Sequence, residues 1–313
     1  MTECERLIET GVLPKQYFDE ETKCEFLVDK ARKQVWAVEL DLLLEFDRVC
    51  KKHNLRYYLA YGTLLGAVRH KGFIPWDDDT DVLMPREDYE KLWSFASDFQ
   101  DPYFFQTPYS DPSYLYAHAR LRNSRTTMIQ RPFCYNDYNM GIFMDILPLD
   151  SFVPDGIGQN MFKEMGKLLV DMSTSMKVSN PYPNERDANR IKELAPINGL
   201  TLYEKVRAMA MSFSYADTEY CFPSAALTYG FKKSVLKKEY FDDVDYLEFE
   251  GYLFPVPSGY KQFLEYVYGD YMAFPPVEKR GVWHGEVWTD ADKSYKEVKQ
   301  TPNYLEWSIN PNY

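Results

Sequence analysis

Apolar residues at Ala31, Val35, Val38, Leu42, Phe46 and Val49 recur at steps of three and four, which predicts a helix over Ala31–Cys50, stopped at Asn54. The short Tyr- and Leu-rich run Leu55–Tyr61 reads as a strand, Gly62-Thr63 as a turn, and Leu64–Arg69 as the start of a helix. A loop over 71–76 leads through an acidic cluster into a second strand, Thr80–Met84. Pro85 is placed for the first position of a helix reaching about Ala96. The next third is β-rich, with strands predicted at Tyr103–Gln106, Tyr114–Arg122, Thr126–Ile129 and Ile142–Leu147. Phe162–Met176 reads as a helix and residues 177–198 as a surface connection. Thr201-x-x-Glu204 has the form of a capping box and predicts a helix from Leu202 to about Tyr215. Phe249–Pro255 reads as a strand, Ser258 as the cap of a helix that Gly269 ends, and the tail from Asp290 shows little pattern. No repeat, low-complexity tract or linker divides the chain, so one domain is expected over 1–313.

Composition narrows the function classes. With 313 residues, 45% hydrophobic and 27% charged, the chain reads as globular, with ample length for a core. Its 36 basic and 48 acidic residues leave a net charge of −12, which argues against a nucleic-acid partner. The acidic N-terminus lacks the apolar core of a signal peptide, and no charge-free run exceeds twelve residues. Five scattered cysteines without a C-x-x-C pair read as reduced thiols, and His53, His70, His118 and His284 lack metal-ligand spacing, which argues against zinc. A cytoplasmic protein is expected.

The chemistry concentrates between Tyr61 and Val82. Backbone N–H groups of Gly62-Thr63, between a strand and a helix, can approach an anion. Asp79 and Asp81 lie two apart on a predicted strand, so both carboxylates point to one face. Like charges so close call for a cation, and oxygen ligands favour Mg²⁺ or Mn²⁺. Asp145, in the otherwise apolar strand Gly141–Leu147, is costly unless paired or metal-bound, so Asp79, Asp81 and Asp145 are the candidate metal-binding and catalytic carboxylates. The bland reading of Asp77–Asp81 is a solvated turn. A calcium loop starting at Asp77 fails, because Val82 stands where Gly is needed and Asp88 where Glu is expected. A D-x-D glycosyltransferase using a sugar nucleotide also fits Asp79-x-Asp81.

The run from Tyr61 through Gly-Thr-Leu-Leu-Gly-Ala-Val-Arg-His-Lys-Gly-Phe-Ile-Pro-Trp-Asp-Asp-Asp-Thr to Asp81 closely resembles the LicD family, distantly related to the fukutin group. The resemblance covers about residues 35–90, resumes at Met140–Asp150, and returns at Phe249–Arg280 with Tyr268-Gly-Asp-Tyr271 and Pro275-Pro276. It implies a mixed α/β fold: a nucleotidyltransferase-like core sheet with helical additions. On that basis the domain comprises an N-terminal helix at 28–53, a catalytic core at about 55–150, a less distinctive helical region at 151–245 and a C-terminal family segment at 249–285. The resemblance maps phosphate binding onto Gly62 and Thr63 and metal binding onto Asp79, Asp81 and Asp145. Thr80, where the family usually has Ile, is a small departure.

The implied reaction is metal-dependent transfer of phosphocholine, or a related substituted phosphoryl group, from CDP-choline or a similar CDP-linked donor to a hydroxyl of a glycan or lipid-linked glycan. The acceptor class is teichoic acid, lipopolysaccharide or a capsule precursor. CMP leaves, and the cofactor is Mg²⁺ or Mn²⁺. Such acceptors are made at the inner membrane face, so peripheral membrane contact is part of the expectation. Arg69, Arg120 and Arg122 are the candidate phosphate-binding arginines, since Arg suits bidentate phosphate recognition and Arg120 and Arg122 share a strand face. Lys71, Arg125, Lys279 and Arg280 are weaker candidates, and His118 reads as a satisfied strand histidine. Aromatic faces suit a quaternary ammonium, and Trp76, Trp283, Trp288, Tyr135, Tyr138 and Tyr268 are available without defining a cage. The alternatives are a glycosyltransferase and a non-catalytic metal-binding or scaffold protein.

Overall fold

The apolar stripe that begins at Ala31 becomes helix α1 (Lys30–His53) in a computed structural model, which describes residues 1–181, 183–213, 218–227, 234–281 and 287–309. The Asp29 carboxylate accepts from the Arg32 N–H at 2.9 Å and caps the first turn. Asn54, left-handed at φ 52°, ends the last turn. Val35, Val38, Leu42, Phe46 and Val49 are buried, as their spacing requires.

The sheet that α1 covers has seven strands: β1 (Tyr58–Leu59), β2 (Asp81–Pro85), β3 (Tyr103–Gln106), β4 (Ala119–Asn123), β5 (Phe143–Phe152), β6 (Tyr220–Pro223) and β7 (Leu236–Lys237). Its main path runs β7-β6-β5-β2-β1, with β4 also paired to β5 and β3 to β4. β2 and β5 are parallel, Asp81 opposite Asp145 and Pro85 opposite Leu149. The other edge of β5 is divided, its first half pairing with β4 and its second half with β6. Central placement explains why β5 is almost continuously apolar and buried on both faces. At the far end of β2 and β5, the buried Arg86 guanidinium grips the Asp150 carboxylate through two contacts, Nε to Oδ1 at 2.5 Å and Nη2 to Oδ2 at 2.9 Å.

Helix α2 (Tyr61–His70) follows β1 directly. Helices α3 (Gly156–Ser175), α4 (Glu185–Leu194) and α5 (Gly199–Ala210) form a second layer, and α6 (Tyr260–Tyr268) packs near α2. Two apolar clusters result. One joins α1 to Val82, Leu121, Met144 and Ile146; the other joins Tyr114, Tyr116 and Phe222 to Met165, Leu169 and Tyr203.

Several sequence expectations change. The strand expected at Leu55–Tyr61 pairs only at Tyr58–Leu59, because α2 already begins at Tyr61. The strand expected at Tyr114–Arg122 starts at Ala119, and β5 extends to Phe152. The supposed connection 177–198 contains α4, capped by Asn184; of its residues only Leu194 is buried, so its apolar signal is thin. Helix α5 starts from an Asn198 cap rather than Thr201, and its predicted end at Tyr215 lies outside the described residues. Val244–Phe249 and Tyr252–Pro257 form a hairpin whose Glu250 and Gly251 both take positive φ, 49° and 84°. The tail carries a helix at Pro302–Ile309.

Candidate active site

The turn between β1 and α2 is abrupt. The Ala60 N–H donates to the Asp81 carbonyl at 3.0 Å, and the Ala60 carbonyl already accepts from Leu64 at 3.0 Å as the first intrahelical bond. Tyr61 absorbs the change of direction at φ 42°, a strained value for a non-glycine residue. Gly62 and Thr63 therefore belong to the first turn of α2, not to a turn ahead of it. The N–H groups of residues 61–63 precede the first intrahelical donor and form the positive end of the helix.

Gly62 and Gly66 lie on one face of α2 and let the acidic loop pack against it. A Cβ on Gly62 would run into the Asp77 carboxylate, and one on Gly66 into the Gly72 carbonyl oxygen. The close approach expected between Gly62 and a phosphate is taken here by Asp77. The Asp77 carbonyl is anchored from α1, accepting from Arg32 Nη1 at 2.8 Å and Trp36 Nε1 at 2.9 Å. The Thr63 hydroxyl accepts from the Asp81 N–H at 2.8 Å, so it fixes where β2 begins.

β2 starts only at Asp81, and Asp79 lies in the irregular segment before it. Strand alternation therefore does not extend to Asp79. Asp81 and Asp145 are register partners on parallel neighbours, which puts them on one face about 5 Å apart. Asp145 is in turn opposite Arg120, and Arg120 opposite Gln106. The Asp145 N–H donates to the Thr80 carbonyl at 2.8 Å.

The Asp145 carboxylate is turned to the basic side of this row. Arg120 Nε donates to its Oδ1 at 2.6 Å, and His118 Nε2 lies 3.1 Å from the same oxygen. Despite the cost of burial, these charges hold the Asp145 carboxyl well below the usual carboxylate range. Among the described residues, no three His, Cys, Asp or Glu side chains are grouped to hold a metal ion. The three carboxylates expected to converge are thus not grouped in this arrangement, in which Asp145 is held by Arg120. Asp79 and Asp81 are half-buried, and their carboxylates are the hard oxygen ligands that could hold Mg²⁺.

Arg120 and Arg122 do share a face, and both are buried. The Arg120 guanidinium lies 3.7 Å from the Phe143 ring centroid and 4.9 Å from that of Tyr116. Arg122 shares the Phe143 ring at 4.7 Å, donates to Gln106 Oε1 at 2.5 Å and the Gly141 carbonyl at 2.6 Å, and is drawn down to about 10 by burial and then by Arg120. These two donors are thus spent on structure. His118 is 2% exposed; its Nε2 is paired with the Asp145 carboxylate, while its Nδ1 has no hydrogen-bond partner among the described residues.

Arg69 sits at the far end of α2, its Nη1 3.3 Å from the Tyr271 and Ala273 carbonyls and its guanidinium 5.0 Å from the Phe274 centroid. Lys71 and Arg125 lie at the surface, near Glu248 and near Asp101 and Glu3 respectively. Arg280 packs over Trp76 and donates to the Cys24 carbonyl at 2.6 Å.

Of the aromatic candidates, Tyr268 is beside the acidic loop. The residue is 43% exposed, and burial within the fold, followed by the charges of Asp77, Asp81 and Asp79, pushes the phenol up. Tyr61, which the sequence reading did not single out, is likewise pushed up by burial and by Asp81. Trp76 is buried against Phe26 and Phe274, Tyr138 lies over Arg122, Tyr135 bonds to the Ser308 carbonyl, and Trp288 packs on Tyr304 and Trp307. Trp283 and His284 lie outside the described residues. The sequence reading also missed the role of Thr63 as an acceptor, which a position three residues into a helix does not announce.

Comparison with known proteins fits this geometry. Residues 54–149 match the model of the LicD/FKTN/FKRP nucleotidyltransferase domain, which includes α2, the acidic loop, Arg120 and Asp145. The chain is 29% identical over 254 residues, 78% of its length and 92% of the relative's, to the lipopolysaccharide cholinephosphotransferase LicD of Haemophilus influenzae. Shorter matches join it to uncharacterized proteins of Rickettsia prowazekii, 41% identical over 59 residues, and Rickettsia typhi, 47% identical over 47 residues. These cover 19% of this chain and 22% of the first relative, and 15% of this chain and 15% of the second. With the LicD/FKTN/FKRP nucleotidyltransferase model matched over residues 54–149 and 29% identity along most of its length, the chain is similar to LicD proteins.

Proposed function

We propose that the protein transfers phosphocholine from CDP-choline to a hydroxyl of a cell-surface glycan, releasing CMP. The similarity to a lipopolysaccharide cholinephosphotransferase over most of both chains supports the head group and makes lipopolysaccharide the first acceptor to test. The observation that carries the reaction class is the acidic loop packed along the glycine face of α2, with Asp81 in register beside Asp145. It sets hard carboxylates next to helix N–H donors, a combination suited to a diphosphate and its counter-ion.

In this reading Asp79 and Asp81 hold Mg²⁺ or Mn²⁺, which when bound neutralises charge on the phosphates. The first-turn N–H groups of α2 orient the diphosphate, and Thr63 keeps Asp81 in place through its backbone. Arg120 supplies the buried guanidinium that answers charge developing as CMP departs. Tyr268 and Tyr61 offer ring surface beside carboxylates to the choline ammonium, each such contact contributing roughly 0.5–2 kcal/mol. Asp145 accepts a proton from the acceptor hydroxyl only when freed from Arg120. No described helix is long and apolar enough to cross a membrane. Action from the cytoplasmic face, with peripheral membrane contact, is the arrangement we propose for a lipid-linked acceptor.

The test is CMP release from CDP-choline, CDP-ethanolamine, CDP-glycerol, CDP-ribitol and UDP-sugars, with lipopolysaccharide or a lipid-linked glycan as acceptor. CDP-choline should be preferred, and EDTA should stop release. Equal use of CDP-glycerol or CDP-ribitol removes the choline assignment and keeps the reaction class. Turnover of UDP-sugars alone replaces it with glycosyl transfer.

A further inference from the structure

Both ends of the Arg120–Asp145 pair belong to groups that the reaction needs elsewhere. On one face of the sheet, Asp81, Asp145 and Arg120 follow one another across β2, β5 and β4. Arg120 is 2% exposed and fixed against Phe143 and Tyr116, so it is not a surface charge that solvent can neutralise. Arg122 stands on the same Phe143 ring, leaving two buried guanidiniums that repel one another. His118 adds a third basic group at the same Asp145 oxygen.

We infer that Arg120 makes cation binding at Asp81 depend on the nucleotide phosphate. The inference rests on the proposed reading of the site. While Arg120 holds Asp145, the cation site at Asp81 lacks a third carboxylate and faces a guanidinium two strand spacings away, at about 5 Å per step. An incoming phosphate is the one substrate group that can take over the Arg120 donors. Its arrival releases Asp145 to rotate toward Asp81, with His118 left as its neighbour. Nucleotide and cation then promote each other's binding, and the coupling is reciprocal. Arg120 is in this respect a positioning residue, acting on the cation through Asp145.

Mn²⁺ titration followed by electron paramagnetic resonance, with and without CMP, tests this directly. In the wild-type protein Mn²⁺ should bind weakly alone and at least about fivefold more tightly with CMP. In Arg120→Gln, Mn²⁺ alone should bind more tightly than in the wild type, and the gain from CMP should shrink. Unchanged or weaker Mn²⁺ binding in a folded Arg120→Gln, with wild-type coupling intact, overturns the inference and spares the proposed function. Failure of the wild type to bind Mn²⁺ with or without CMP overturns both. Because Arg120→Gln removes a buried charge, the wild type provides a second measurement. The Arg120 Nε–H nuclear resonance, assigned by its loss in Arg120→Lys, should move on adding CMP with Mg²⁺ and stay in place with Mg²⁺ alone. No movement in either case also overturns the inference.

Discussion

Arg120 Nε lies 2.6 Å from Asp145 Oδ1, so an arginine expected on phosphate and a carboxylate expected on metal hold each other. Breaking one side of a buried pair leaves an uncompensated charge, which costs roughly 3–5 kcal/mol. Arg120→Met should therefore destabilise the protein by about that amount, while Arg120→Met with Asp145→Leu should lose much less. Urea denaturation of both variants checks this. A double variant as unstable as the single one would mean that packing, not charge pairing, sets the cost.

Asp79→Asn and Asp81→Asn should each lower transfer by at least about 10²-fold, the scale for removing one preorganised electrostatic group. Both residues are half-buried, so melting temperatures should change little. Initial rates at saturating CDP-choline, with melting curves alongside, separate the two effects.

Thr63 acts through the backbone of Asp81, and its hydroxyl is what matters. Thr63→Val should cost about 1 kcal/mol of stability and reduce kcat, and Thr63→Ser should restore most of both. A Thr63→Ser enzyme as slow as Thr63→Val would show that the methyl, not the hydroxyl, is needed.

The two glycines of α2 should fail differently. At Gly66 an added methyl meets the Gly72 main chain, which cannot move aside, whereas at Gly62 it meets the end of the Asp77 side chain. Gly66→Ala should thus lower the melting temperature more, and Gly62→Ala should lower activity more by displacing the acidic loop. Gly156→Ala, open within its helix, should be neutral or stabilising by up to about 1 kcal/mol.

His70 is held neutral: burial, then Arg69 and Lys23, pull it down from 6.5 to about 4. Since the unfolded chain takes up the proton first as pH falls, stability present above about pH 6.5 should decline toward pH 4. His70→Gln should flatten that part of the stability–pH curve. An unchanged slope in the variant assigns it to another group.

The sequence made the acidic motif legible because its residues are contiguous and carry a charge problem that any fold must solve. Helix α1 was legible for a simpler reason, a long stripe with Asp29 and Asn54 at its ends. The partners of Asp145 were not, since Arg120 meets it only through the β4–β5 register, across 25 positions of chain. The packing of Asp77 against Gly62 is not legible, since a sequence does not show a side chain folding back onto a helix. Helix α4 escaped notice because so little of it is buried.

The Arg86–Asp150 clasp has a kinetic consequence for the site at the other end of the same two strands. With β2 and β5 joined there by two buried contacts, sliding one strand past the other would break the clasp and turn each side chain to the opposite face. The main chain is therefore a fixed frame, and Asp145 can change partners only by side-chain rotation. Such a change needs no local unfolding. It belongs to the fast regime of torsional hops slowed by packing, well ahead of a catalytic cycle of typical enzyme turnover.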